Sequence, residues 1–224
     1  MQSLPRPATA PRLSARHVTL ADVAEVGSGR AGSDELVTDL RVGSVALAAH
    51  SSEFVELVSL EIGGGSLADS DWYRTTWVDI RLEGVDGANA AFVESGLKRI
   101  RWQRCRLVGL TLSGCTLADV AHLDCLLGMA NFRFANLTRV EFVDCDLTGA
   151  DFTNARLTEV GFTDCVLREA TFSHASCDRV VLQGGDLSGL RGLDGLRGAT
   201  VRVDNLADIA QEMATELGLQ LIAP

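Results

Sequence analysis

The sequence predicts an all-β repeat solenoid, in which the chain turns a corner every five residues along most of its length. In the range 37–187, every fifth residue is apolar at 28 of 31 positions. The exceptions are Ser52, Gly87 and His122. A second frame, two residues earlier, holds only Ala, Cys, Val, Ile, Leu or Gly over 100–185. A period of five fits neither an α-helix nor a single strand. It fits a coil whose every side points one small and one large apolar residue inward.

The aromatic residues follow the same frame. All three tryptophans and six of the eight phenylalanines occupy the large inward positions. The remaining positions of each repeat are mostly polar, as in the stretch ANLTR-VEFVD-CDLTG-ADFTN at 135–154. This stretch resembles the pentapeptide-repeat family, whose pattern is A(D/N)LXX, and the resemblance extends over 37–190. It implies a right-handed quadrilateral β-helix, with four five-residue faces in each coil.

If four faces make one coil, residues twenty apart must stack in columns about 4.8 Å apart, the ordinary spacing of strands. Columns of like residues support this register. They are Cys105, Cys125, Cys145 and Cys165; Ile100, Val120, Val140, Val160 and Val180; and Phe132, Phe152 and Phe172. A further column alternates in charge and predicts an exposed ladder of ion pairs. It consists of Asp79, Arg99, Asp119, Arg139, Glu159 and Arg179.

The two ends of the chain do not keep the repeat. Both are expected to act as caps, because the last coil of a solenoid exposes an apolar cross-section. Residues 1–36 are interpreted as a mobile stretch, 1–12, followed by an irregular N-terminal cap, 13–36. The β-helix is assigned to 37–190, and 191–224 to a turn-rich segment with a C-terminal helical cap.

A short α-helix is expected in this last segment. The residues at 205–208 (Asn-Leu-Ala-Asp) are typical of a helix start, and Gly218 is typical of a helix end. Four apolar residues fall on one face at helical spacing: Leu206, Ile209, Met213 and Leu217. This face either plugs the last coil alone or plugs it and also pairs with a second copy. A helix in this place resembles the pentapeptide proteins of the fluoroquinolone-resistance type, in which the C-terminal region joins two rods into a dimer.

Composition narrows the classes of function. The net charge of −10 argues against a protein that grips phosphates with Lys and Arg, so no direct nucleic-acid binding is expected. No run reaches the about 18 consecutive apolar residues of a membrane span. The first sixteen residues lack the apolar core of a secretory signal, and the six cysteines are most simply free thiols. We therefore expect a cytoplasmic protein without a membrane partner.

No residue pattern indicates catalysis, and we expect neither an enzyme, nor a cofactor, nor a metal. Five cysteines lie in the small inward frame and Cys177 in the large one. Thiols in a buried column resist ionisation and point in parallel instead of converging on an ion. His122 is a large inward residue in the column between Trp102 and Phe142, which favours a core role over that of a catalytic base.

Asp124, Asp144 and Asp164 lie twenty apart, directly before three of the stacked cysteines. Three like charges about 4.8 Å apart repel one another unless other groups satisfy them. Aspartates commonly bond to nearby backbone amides at turns, which favours a role as corner caps. The alternative is an acidic stripe displayed to a basic partner.

Two functions remain after these exclusions. The first is an interaction scaffold that binds a protein partner on a flat β face. The second is a DNA-mimicking modulator of DNA gyrase. The resemblance to the fluoroquinolone-resistance type implies it, since those proteins bind gyrase as acidic, rod-shaped mimics of duplex DNA. The acid excess is spread thinly, with net charges of −5 over 37–100 and −3 over 101–187. This distribution favours the scaffold.

Overall fold

A computed structural model describes residues 16–17 and 35–219 of the chain, and it has the predicted fold class. The chain forms a β-solenoid of about eight turns, nearly all sheet, with one short helix at its C-terminal end. The described strands pair in parallel throughout. Within the described ranges, no helix combines the length and the apolar character that crossing a membrane requires.

Eleven of the sixteen described strands form one sheet, three form a second and two form a third. The strands are β1 (Arg16–His17), β2 (Glu35–Val42), β3 (Val45–Ala46), β4 (Ser51–Glu53), β5 (Val55–Ile62), β6 (Gly65–Ser66), β7 (Asp71–Tyr73), β8 (Thr76–Glu83), β9 (Ala91–Val93), β10 (Gly96–Gln103), β11 (Thr116–Leu123), β12 (Asn136–Val143), β13 (Arg156–Thr163), β14 (Ser176–Asp178), β15 (Val181–Gln183) and β16 (Thr200–Val201). Two 3-10 turns, Leu193–Leu196 and Val203–Asn205, precede helix α1, Leu206–Glu216.

Each coil has four faces of five residues. In the coil 120–139, face 1 is 120–124, face 2 is 125–129, face 3 is 130–134 and face 4 is 135–139. The same names apply to residues twenty positions away. Strands β11 to β13 each follow face 4 of one coil and continue into face 1 of the next. In these coils, faces 2 and 3 join their neighbours through single bridges instead.

The predicted twenty-residue register is confirmed. Val140 of β12 lies between Val120 of β11 and Val160 of β13. The same step separates Asn131 on face 3 from its bridge partner Asp151. Like residues therefore stack on like because the hydrogen-bond register places each repeat directly over its equivalent.

The corners explain the five-residue period. All 23 described non-glycine residues with a left-handed backbone lie in a single frame, the one that contains Met129 and Phe134. This conformation costs a non-glycine residue roughly 1–2 kcal/mol. Hydrogen bonds between coils offset that cost. The Met129 amide, for example, donates to the Thr148 carbonyl at 2.8 Å, and the Asp124 amide donates to the Val143 carbonyl at 3.0 Å.

Stacked rings fill the centre of the rod. Phe132, Phe152 and Phe172 form one column, with ring centroids 4.7 and 4.8 Å apart and planes within 5° of parallel. Phe142 and Phe162 form a second column at 5.0 Å. The two columns meet edge to face, a favourable geometry for aromatic rings. All five side chains are buried.

The ends depart from the regular coil. The short strand β1 pairs with β2 so that Arg16 lies opposite Leu40, a step of 24 residues instead of 20. The predicted mobile stretch 1–12, and most of the predicted cap 13–36, lie outside the described residues. At the other end the sheet continues through β16, ten residues beyond the predicted end of the β-helix at 190.

Candidate interaction surface

The three aspartates singled out in the sequence line one edge of the rod. Asp124, Asp144 and Asp164 occupy the corner between face 1 and face 2, each with a left-handed backbone. Their side chains are exposed. Among the described residues, their carboxylates form no hydrogen bond and no ion pair. The row ends at Arg104 on one side and at Gly184 on the other, so it spans three coils.

The corners are capped by a different set of side chains. The capping residue precedes the large inward residue, and its side-chain oxygen accepts a hydrogen bond from the amide two positions later. Asp146 accepts from Thr148 at 3.0 Å, and Asp151 accepts from Thr153 at 2.8 Å. The same arrangement occurs at Ser66, Asp86, Asn131 and Asp186. The carboxylates of Asp124, Asp144 and Asp164 lie two positions after the inward residue and do not cap these amides.

The alternating charged column forms ion pairs, but the predicted exposure of this ladder is wrong for its aspartates. The pairs are Arg99–Asp79, Arg139–Asp119 and Arg179–Glu159. In the first two, the guanidinium donates two hydrogen bonds to one carboxylate, at 2.6 to 2.9 Å. The Asp79 and Asp119 side chains are only 10% and 8% exposed, because the arginine of the next coil covers them.

The cysteines lie inside the rod as free thiols. In the column of four, each Sγ donates to the carbonyl two residues earlier at 3.3 Å. The thiols therefore point in parallel. Burial raises the pKa of Cys115 and of Cys177 to about 11, so both stay protonated at neutral pH. Among the described residues, no group of three or more His, Cys, Asp or Glu side chains could hold a metal ion.

His122 is fully buried between two aromatic rings. Its imidazole stacks on Phe142 at 4.8 Å and on Trp102 at 6.5 Å, nearly parallel to both. Neither ring nitrogen finds a hydrogen-bond partner among the described residues. Burial lowers the pKa of His122 to about 3, so the ring is neutral at physiological pH. A substrate outside the rod has no contact with this ring.

A small cavity of about 30 Å³ opens in the first coils at the N-terminal end. It exists because Ser52 stands in a large inward position and fills less space than the aromatic residues below it. His50 bonds to Ser52 at 2.7 Å between Nε2 and Oγ, and Trp72 and Trp77 are among the other lining residues. The rest of the lining is aliphatic. Among the described residues that line the cavity, His50 is the one titratable side chain.

Three large apolar side chains interrupt the polar outer surface of the middle coils, and their exposure was not predicted from the sequence. Leu126, Met129 and Phe134 are exposed by 50%, 68% and 56%. Leu126 lies on face 2, while Met129 and Phe134 occupy the corners at either edge of face 3. Met129 and Phe134 stand in the corner frame, which otherwise holds mostly charged, polar or glycine residues.

Helix α1 docks on the last coil through polar residues. Its contacts are hydrogen bonds from exposed amides of the coil to four side chains. These are Asn205 with Gly184, Asp208 with Leu187, Glu212 with Gly189, and Glu216 with Gly192 and Leu193. Of the four apolar residues expected on the docking face, only Ile209 packs against the core. Leu206, Met213 and Leu217 are exposed by 61%, 49% and 71%.

Comparisons with known proteins point to one family. A family model described as a pentapeptide repeat region matches 75–152 and 123–191, which together make up half of the chain. No sequence among the curated proteins matches the chain.

Two solved structures are similar to this chain at low sequence identity. One is a trypsin-treated variant of QnrB1, a plasmid-mediated fluoroquinolone resistance protein, with 14% identity, coverage of 93% of this chain and 98% of that chain, and a TM-score of 0.37. Another is HetL, involved in heterocyst differentiation regulation in the cyanobacterium Nostoc sp. strain PCC 7120. It has 16% identity, coverage of 82% and 97%, and a TM-score of 0.30.

Proposed function

Because the chain belongs to the pentapeptide-repeat family, we propose that it is a non-enzymatic, cytoplasmic protein-interaction solenoid that binds its partner on the outer surface of the rod. One observation carries this proposal: the most reactive side chains of the middle coils are buried inside the rod. His122 and the stacked cysteines are buried, unlike the exposed Asp124, Met129 and Phe134. The outer surface is therefore where specificity can reside.

An affinity experiment tests the interaction. The folded chain is immobilised and incubated with an extract of its source organism, beside four variants that each carry polar substitutions on one face. We expect at least one protein to be retained in a saturable manner and to be lost with one of the four variants. Retention of no protein above the level of bare resin would contradict the proposal.

A second candidate function is the modulation of DNA gyrase by imitation of DNA. The exposed, unpaired carboxylates of Asp124, Asp144 and Asp164 favour it, together with the net charge of −10. The limited length of this row weighs against it, since Arg104 and Gly184 end it. Purified gyrase is assayed for supercoiling with micromolar protein. We expect inhibition, or protection from a fluoroquinolone, that weakens when the three aspartates become asparagine. No effect of the unaltered protein rules this function out.

Pairing of two rods through helix α1 is also part of the proposal. The exposure of Leu206, Met213 and Leu217 supports it, because the helix already docks on its own rod through other residues. In sedimentation experiments we expect a dimer that Leu206→Asp or Met213→Asp converts to monomers. Ala207→Asp, exposed on another side of the helix, is the control and should leave the dimer intact. A monomeric unaltered protein contradicts this part of the proposal.

A further inference from the structure

Within the coils 96–190, the exposed large apolar residues all belong to the coil 120–139. Between residues 96 and 190, the large hydrophobic side chains that are strongly exposed are Leu126, Met129 and Phe134. Leu126 and Met129 share face 2, and Val166 lies half-buried two coils further along the column of Leu126. In the column of Leu126 the direct neighbours are Arg106 and Asp146, and Asp146 separates Leu126 from Val166. Face 2 therefore carries a small apolar patch, Leu126 and Met129, near the middle of the rod.

Met129 is an unusual residue type for its column. Residues in the same column are Asn89, Gly109, Gly149 and Glu169, types that tolerate the left-handed corner or face solvent. Met129 adopts this conformation without being buried by it. A Cβ at position 149 would come within 2.6 Å of Met129 Sδ, so the methionine lies across the space that this glycine leaves. An exposed, flexible methionine is typical of an adaptable contact surface.

The charge beside this patch is negative and not neutralised. Asp124, Asp144 and Asp164 border face 2, and their carboxylates have no ion-pair partner among the described residues. The two arginines on face 2 are engaged elsewhere: Arg106 pairs with Asp86, and Arg168 pairs with Asp186. A partner that covers the apolar patch therefore meets a row of acids along one edge and no free base within it.

The spacing of this row selects the shape of the partner. The three aspartates repeat once per coil, at about 4.8 Å along the rod axis. An α-helix laid along the same axis presents one residue of a given face per turn, at about 5.4 Å. Over two steps the two periods differ by roughly 1.2 Å, which flexible lysine or arginine side chains can accommodate. An extended strand repeats its side chains at about 6.7 Å and fits the row less well.

We infer that face 2, around Leu126 and Met129, is a docking surface for a cationic amphipathic helix of a partner protein. The helix lies along the rod, with its apolar side on Leu126 and Met129. One lysine or arginine per turn faces Asp124, Asp144 and Asp164. The apolar residues mark the surface, and the acids determine the charge of the occupant. This inference rests on the proposed function and assigns its face and its partner class.

A synthetic helix tests this assignment. The probe is a labelled amphipathic peptide of about five turns, with leucine along one side and one lysine per turn beside it. Its binding to the full chain is measured by fluorescence anisotropy. We expect saturable binding that weakens with added salt. The double variant Leu126→Thr/Met129→Asn should weaken it about tenfold or more. Asp144→Asn should weaken it roughly threefold.

Matched controls separate this surface from the rest of the rod. Phe134→Asn removes a side chain of similar exposure from the far edge of face 3 and should leave peptide binding unchanged. Asparagine suits the left-handed corner, so the variants at 129 and 134 should melt at or above the temperature of the unaltered protein. If Met129→Asn unfolds the chain, Met129→Gly replaces it, since glycine adopts this backbone freely.

Three results would overturn the inference. The first is equal peptide binding by the Leu126→Thr/Met129→Asn variant. The second is equal binding of a peptide with glutamate in place of lysine. The third is self-association of the unaltered chain that Met129→Asn abolishes, because the occupant is then a second copy. A captured protein that still binds the double variant leaves the proposed function standing and overturns only this assignment. Failure of both capture and peptide binding rejects both.

Discussion

The middle coils and the C-terminal cap both supply hydrogen-bond acceptors to backbone amides, but they use different groups to do so. In the middle, some backbone amides of each coil donate to carbonyls of the next coil, as Met129 does to Thr148, and others donate to the preceding coil, as Asn131 does to Leu110. The aromatic rings stack on like rings. The last coil has no successor. Its amides at Gly189 and Gly192 are instead satisfied by the carboxylates of Glu212 and Glu216.

This difference shows which interactions extend the rod and which interactions end it. Apolar burial and parallel pairing extend the rod for as long as the repeat continues. They cannot end it, because the free edge of a sheet leaves unpaired amides that must find an acceptor. Helix α1 supplies acceptors at helical spacing from one of its sides. Leu206 and Met213 are left exposed as a consequence, since the docked side is occupied mainly by carboxylates.

The largest expected effect comes from the stacked interior. Phe152→Ala removes a ring held between Phe132 and Phe172 and should lower the free energy of unfolding by about 3–5 kcal/mol, because it leaves a cavity in a core that cannot collapse. Chemical denaturation measures the loss. Phe134→Ala is the matched control, since its ring is 56% exposed, and should change stability much less. Equal losses for the two variants would show that the ring columns do not hold the rod together.

His122 is the polar exception within that interior, and it makes stability depend on pH. The folded state lowers its pKa to about 3, while the unfolded chain titrates near 6.5. Below pH 6.5 the unfolded state binds the extra proton, so stability should fall by about 1.4 kcal/mol per pH unit from this group. At pH 5 the loss of stability due to His122 should reach roughly 2 kcal/mol.

His122→Phe continues the ring column of Phe142 and removes the titration. The variant should be more stable at neutral pH as well, because two unsatisfied nitrogens leave the core. Denaturation of both proteins from pH 7.5 to pH 5 gives the difference, in which the carboxylates common to both cancel. A difference that stays constant over this range would contradict the buried, neutral state of His122.

The smallest effect is expected at the cap and should stay local. Glu216→Ala removes the acceptor of the Gly192 and Leu193 amides, which should then exchange with solvent roughly three- to tenfold faster. Amides in the middle coils, such as that of Val140, should not change. Glu216→Gln keeps an acceptor oxygen, so its exchange rates at these two amides should lie between those of the unaltered protein and those of Glu216→Ala. Faster exchange throughout the rod would mean that the cap stabilises the whole solenoid and would contradict a local effect.

The sequence predicted the fold better than the surface. The frames of large and small apolar residues gave the coil, the register and the columns, since a repeat of one residue type at a fixed step can be satisfied only by stacking. The charged column was recognised too, but not the burial of Asp79 and Asp119, which depends on how the guanidinium of the next coil lies across them. The exposure of Leu126 and Met129 was missed because a single apolar residue in a polar frame carries no periodic signal.

By itself, the sequence determined the five-residue corner, the twenty-residue coil and the identity of the stacked core, because these follow from local patterns that repeat many times. Only the tertiary structure decided which aspartates cap the corners and which remain free, as Asp146 and Asp144 illustrate. The same holds for helix α1, whose apolar side was expected to plug the last coil. The edge amides of that coil required acceptors, and this requirement turned the carboxylates inward and left Leu206 and Leu217 exposed.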